Sequence, residues 1–99
     1  MMSWNRLSDL LKALNGETRQ KILLSLFRDG KERTVNQVAE EMGLGQSTAS
    51  EHLTQMKRAG ILTSRRMGKE VLYRPDREEL LSQLRDLQQL VEECCPPEP

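Results

Sequence analysis

The sequence predicts a mainly α domain with one small β-hairpin, in the order helix, helix, helix, helix, hairpin, helix. Three observations predict it. Apolar residues recur at helical spacing along most of the chain. The period shortens only between Ile61 and Arg74, around Met67-Gly68. Just before that change, a short helix, a glycine turn and a second helix follow one another directly.

Trp4, Leu7, Leu10, Leu11 and Leu14 mark the first helix, which Asn15-Gly16 stops. Glu17 to Phe27 forms the second, with Ile22, Leu23, Leu26 and Phe27 on one side. Asp29-Gly30-Lys31 is a turn, and Thr34 then caps a third helix bearing Val35, Val38, Ala39 and Met42. After the tight turn Gly43-Leu44-Gly45, Gln46 or Ser47 opens a fourth helix with Ala49, Leu53 and Met56, closed by Gly60. Ile61–Arg66 and Lys69–Arg74 are the arms of the hairpin. Pro75-Asp76 ends the second arm and starts a last helix, from Asp76 or Arg77 to Cys94. Residues 1–95 read as one domain, and Pro96-Pro97-Glu98-Pro99 as a disordered tail.

Composition excludes several classes. With 36% hydrophobic residues, a core can form, which rules out collagen-like and disordered chains. No apolar run approaches the roughly 20 residues of a membrane span. The first residues lead into a patterned helix, not a secretory signal, so the expected setting is the cytoplasm, with no membrane partner. Adjacent cysteines rarely bond to each other, so Cys94 and Cys95 are expected to stay unpaired. An enzyme is not expected. There is no phosphate-cradling glycine loop, no nucleophile with a partner, and no histidine in a plausible pocket.

The net charge of zero conceals segregation. Residues 53–77 hold Lys57, Arg58, Arg65, Arg66, Lys69, Arg74 and Arg77 against Glu70 and Asp76, a net +5. Residues 78–99 carry a net −5. A nucleic acid meets only one face of a protein, so a local basic stripe outweighs the neutral mean.

Residues 34–60 read as a helix-turn-helix. The second helix opens with Gln46, Ser47, Thr48, Ser50, Glu51 and His52, which can donate and accept hydrogen bonds toward base edges. An ordinary solvated helix face has the same composition. The hairpin that follows separates the two readings, because Arg65, Arg66 and Lys69 surround its tip, with Lys57 nearby in sequence. Such a wing can lie along the backbone of double-stranded DNA beside the groove. The alternative is a winged-helix protein-interaction module without DNA binding, which has no need of these cations.

Leu80, Leu84, Leu87, Val91 and Cys94 follow spacings of four and three, an a/d seam on the last helix. So small a core cannot cover it all. The expected use is homodimerisation, together with Trp4, Leu7 and Leu11 of the first helix.

Five segments together resemble the arsenical-repressor (ArsR/SmtB) family of winged-helix regulators. They are Leu14–Leu23, Val38–Leu44, Gln46–Leu53, Ala59–Leu62 and Arg66–Tyr73. The resemblance covers roughly residues 7–92. It implies a homodimeric repressor released from its operator by an inducer, with Ser47, Thr48, Ser50 and His52 in the reading helix. Metal-sensing relatives carry a Cys-x-Cys pair before that helix, where this chain has Val38-Ala39-Glu40-Glu41-Met42. At a second family site, Asp76-x-Glu78 and Gln89-x-x-Glu92 lack both imidazoles, which leaves a poor zinc site. Cys94 and Cys95 remain the one soft-ligand pair, resembling those of arsenic-responsive relatives. Arsenite, antimonite or a soft metal could bind there. A thiol redox switch and an inducer-independent repressor with inert cysteines are the other readings.

Overall fold

The computed structural model describes residues 4–98. Met1–Ser3 and Pro99, which belong to the ends of the expected domain and tail, lie outside the described residues. Helix α1 is Trp4–Ala13 and α2 is Glu17–Lys21. The helical path of α2 continues through a widened π turn, Ile22–Leu26, and a tight 3-10 turn, Phe27–Asp29. Strand β1 is Arg33–Thr34, α3 is Val35–Met42 and α4 is Gln46–Arg58. Strands β2, Leu62–Met67, and β3, Glu70–Pro75, precede α5, Arg77–Cys94. Among the described residues, no helix is long and apolar enough to cross a membrane.

Local chemistry explains the boundaries. Thr34 accepts from the backbone N–H of Gln37, and the Gln37 side chain accepts from the N–H of Thr34, a reciprocal capping box. Gly43 ends α3 with φ 65°, a left-handed conformation that permits the sharp turn into α4. Asp76 caps α5 by accepting from the N–H of Glu79. At the wing tip, Met67 pairs with Glu70 and leaves the two-residue loop Gly68-Lys69. Gly68 has φ 63°, as the tight turns of hairpins require.

The structure adds one strand to the expected hairpin. β1 pairs antiparallel with β3, Arg33 opposite Tyr73 and Thr34 opposite Leu72, so the sheet order is β1-β3-β2. Two residues are too few to show a strand period, and Thr34 also serves as the cap of α3. Arg33 anchors this strand. Its guanidinium bonds both carboxylate oxygens of Asp29 at 2.8 and 2.9 Å, bonds Glu41 at 2.7 Å, and stacks over Phe27.

Ile22, Val38, Ala49, Leu53, Met56 and Ile61 are wholly buried where α2, α3, α4 and the sheet meet. Truncating a side chain such as Leu53 to alanine typically costs about 2–5 kcal/mol. Helix α5 packs beside α1 and carries a buried polar side chain, Gln83. Its Nε2 donates to Glu79, and Glu79 pairs with Arg6. The Gln83 carbonyl oxygen has no partner among the described residues.

Candidate nucleic-acid interface

Helix α4 is two-sided. Ala49, Leu53 and Met56 are fully buried and fix its rotation about its own axis. That rotation turns Gln46, Ser47, Thr48 and Glu51 to solvent and leaves Ser50 and His52 half-buried. Lys57 is exposed at the far end of the helix. The opening residues therefore stand clear of the protein, as a helix inserting its N-terminal end into a groove requires.

The wing is partly neutralised. Arg66 and Lys69 are exposed near its tip and form no ion pair among the described residues. Arg65 instead donates two hydrogen bonds to Glu32, at 2.7 and 2.9 Å. Those bonds hold the Glu32 carboxyl below its ordinary range and raise the Arg65 guanidinium. Asp29 is lowered more strongly, first by its hydrogen bonds from Arg33 and then by the backbone N–H of Lys31. Glu32 sits next to a turn in the sequence, where a single acidic residue gave no signal of a partner 33 positions away.

Sequence reasoning also missed Arg19. Its guanidinium lies 3.3 Å from Nδ1 of His52 and donates to the carbonyl of Ala13, tying α2 to α1 and to the reading helix. An Arg in a helical run reads as a surface cation, and nothing in the spacing reveals the contact.

The apolar stripe is divided. Trp4, Leu11, Leu84 and Val91 are each about half exposed on the single chain, while Leu80 and Leu87 are partly covered. Leu7, grouped with Trp4 and Leu11 on sequence, is only 6% exposed and packs inside the chain.

The expectation of unpaired cysteines is corrected: Cys94 and Cys95 are joined by a disulfide. The physical reason is where the helix ends. Successive helical side chains diverge, but Cys95 lies past the last turn with φ −132° and ψ 99°, an extended backbone that brings the sulfurs together. Sulfurs bonded to each other do not fit a soft metal or metalloid. Among the described residues, no group of three or more His, Cys, Asp or Glu side chains gathers to hold a metal.

Residues 16–64 match the model of the family described as bacterial regulatory protein, arsR family. The chain is 38% identical over 66 residues to the HTH-type transcriptional repressor SmtB of Mycobacterium tuberculosis, a match covering 67% of this chain and 47% of that protein. It thus spans about half the length of that relative. It is 32% identical over 91 residues to the HTH-type transcriptional regulator YbzH of Bacillus subtilis, covering 79% of this chain and 90% of the relative. The homodimeric winged helix-turn-helix DNA-binding domain Mb0332 of Mycobacterium bovis superposes with a TM-score of 0.71 at 27% identity, over 97% of this chain and 87% of that one. A shared helix order, a sheet-borne wing and near-complete coverage of a regulator of similar size lead to one conclusion: this chain is a winged helix-turn-helix protein of the ArsR family of bacterial transcriptional regulators.

Proposed function

We propose that the chain is a homodimeric, sequence-specific DNA-binding regulator that acts as a repressor. One observation carries this reading. The polar opening of α4 is exposed beside a wing whose tip carries two unpaired cations, while the opposite side of the same helix is locked in the core. In this reading Gln46, Ser47, Thr48, Ser50, Glu51 and His52 face the major groove. Lys57, Arg66 and Lys69 meet phosphates, and Arg65 is held back by Glu32. The repressor named among the relatives and the homodimeric DNA-binding domain among the solved structures support it.

The test is discrimination. Changing Ser47 and Thr48 together to alanine should weaken operator binding more than binding to random DNA, since lost base contacts cost roughly 1–3 kcal/mol each. Equal losses on both would reduce these hydroxyls to helix positioning, and no DNA binding by the wild-type chain would leave the interaction-module alternative.

The inducer belongs to the same proposal. Arsenite, antimonite or a soft metal at Cys94 and Cys95 requires the reduced chain, because metal ligation needs thiolates. Operator titrations with arsenite, with and without reductant, test it. Release only in reductant, abolished by Cys94→Ser with Cys95→Ser, is the expected result, and continued binding of the reduced wild type at saturating arsenite overturns it.

A further inference from the structure

A groove of about 480 Å³ runs between α1 and α4, lined by Asp9, Lys12, Ala13, Arg19, Gln55, Arg58 and Ala59. Its volume lies in the range of small-molecule sites, roughly 300–1,000 Å³. Ala13 and Ala59 are small, so the long side chains around them enclose space instead of filling it. Three cations line it against one carboxylate, a net +2.

Most cations of the fold form no ion pair among the described residues, and these three are set apart by lining one concave surface. Arg6, Lys21, Arg33 and Arg65 are each paired with a carboxylate. Lys12, Arg19 and Arg58 form no ion pair among the described residues, although Asp9 lines the same groove. Like charges left uncompensated in a concave surface repel one another and concentrate a positive potential there. Arginine adds a planar fork that matches phosphate oxygens two at a time, and lysine adds a point charge. The polar rim and open mouth suit a ligand that is itself polar.

We propose that this groove binds a small molecule carrying a phosphate monoester, with Lys12, Arg19 and Arg58 holding the phosphate oxygens. The body of the ligand lies over Ala13 and Ala59 and reaches Gln55. Arg19 is also the partner of His52, so the ligand competes for a guanidinium that touches α4. The effect of that competition on DNA rests on the function proposed above. Occupancy of the groove does not.

The experiment is calorimetric titration of the full chain with ribose 5-phosphate, with inorganic phosphate, and with ribose as the uncharged control. Saturable binding of ribose 5-phosphate and weaker binding of phosphate are expected, with none for ribose. Lys12→Ala with Arg58→Ala should weaken ribose 5-phosphate at least tenfold, Asp9→Asn should tighten it, and Arg85→Ala, outside the groove, should leave it unchanged. All four residues are exposed, and thermal melts confirm that each variant remains folded. Absence of saturable binding, or equal binding by the double variant, overturns the proposal. A parallel DNA titration separates the two sources of phosphate. If the sugar phosphate fails while the double variant loses DNA affinity and salt dependence, the groove holds the DNA backbone and the small-molecule site is refuted. If the sugar phosphate binds and the wild-type chain ignores DNA, the site stands and the DNA reading falls.

Discussion

The guanidinium of Arg19 points at Nδ1 of His52 across 3.3 Å, joining α2 to the middle of the reading helix. A guanidinium only donates, so Nδ1 must accept. The neutral ring then carries its proton on Nε2, which leaves that edge of His52 a donor for any acceptor beyond it.

Gly16 makes this contact feasible. A Cβ placed on Gly16 would lie 2.7 Å from the Arg19 guanidinium, the mobile end of a long side chain. The backbone at Gly16, with φ −98°, suits alanine. Gly16→Ala should therefore change stability by less than about 1 kcal/mol while displacing Arg19 from His52. The checks are a thermal melt and the imidazole NMR signals of His52. An unmoved imidazole spectrum would show that Arg19 finds another route to the ring.

The Glu32–Arg65 pair makes the wing's cations unequal. Arg66→Ala should lower the salt slope of DNA binding by about 1 for each lost phosphate contact per subunit. Arg65→Ala should lower it less, and Glu32→Gln should tighten binding by releasing Arg65. Fluorescence anisotropy over a salt series measures all three. Equal slopes for the Arg65 and Arg66 variants would show that DNA draws Arg65 away from Glu32.

Acid should selectively weaken the contacts around the turn after α2. Asp29 and Glu32 have carboxyls lowered by Arg33 and Arg65 respectively. A lowered folded value stabilises the native state above the unfolded value, near 4, and the benefit is lost as pH falls through the folded value. The stability gap between wild type and Asp29→Asn with Glu32→Gln should be constant from about pH 5 to 7 and close below about pH 4. Urea melts across that range decide it, and curves that stay parallel to about pH 2 would exclude these two pairs as the acid-labile contacts.

Leu84 is 56% exposed on the single chain, on the side of α5 it shares with Val91. Leu84→Glu should keep the fold yet give a monomer, since a carboxylate resists burial between subunits. Specific DNA affinity should drop with it, because a two-fold dimer reads two half-sites at once. Sedimentation of the variant as a dimer would move the interface elsewhere.

Gln83 offers a stability test. Its buried carbonyl oxygen has no partner among the described residues, and an unsatisfied acceptor costs about 1–3 kcal/mol. Gln83→Met keeps the volume, and Glu79 retains Arg6. The variant should melt at a higher temperature. A lower one would mean that the Gln83–Glu79 bond outweighs the unsatisfied oxygen.

Much of this fold was legible because its signals are local. The glycines at 43 and 68 and the caps at Thr34 and Asp76 announce turns and helix starts from single residues. Ala49, Leu53 and Met56 fix the buried side of α4, and thereby the exposure of the candidate reading residues. What the sequence concealed depends on chain returning from a distance. β1 exists only because β3 lies beside it, and Arg65 meets Glu32 across the sheet. The same holds for Arg19 and His52, 33 residues apart. The cysteine pair misled for a different reason. Its geometry depends on where α5 stops, and one residue past the last turn reverses the expectation.

The widened turn at Ile22–Leu26 sets a reading frame in the backbone. A π turn accommodates one more residue than an α turn along the same path. Deleting one residue there would restore the ordinary pitch along the same path and leave the later side chains on their faces, whereas deleting one from Glu17–Lys21 would rotate every later side chain of the helix by about 100° and pull Phe27 out of the core. Homologues of this chain should therefore tolerate a one-residue gap at 22–26 but not within 17–21, whereas the stretch after Cys95 can lengthen or shorten without such a consequence. Gap placement in an alignment thus becomes a record of helix pitch.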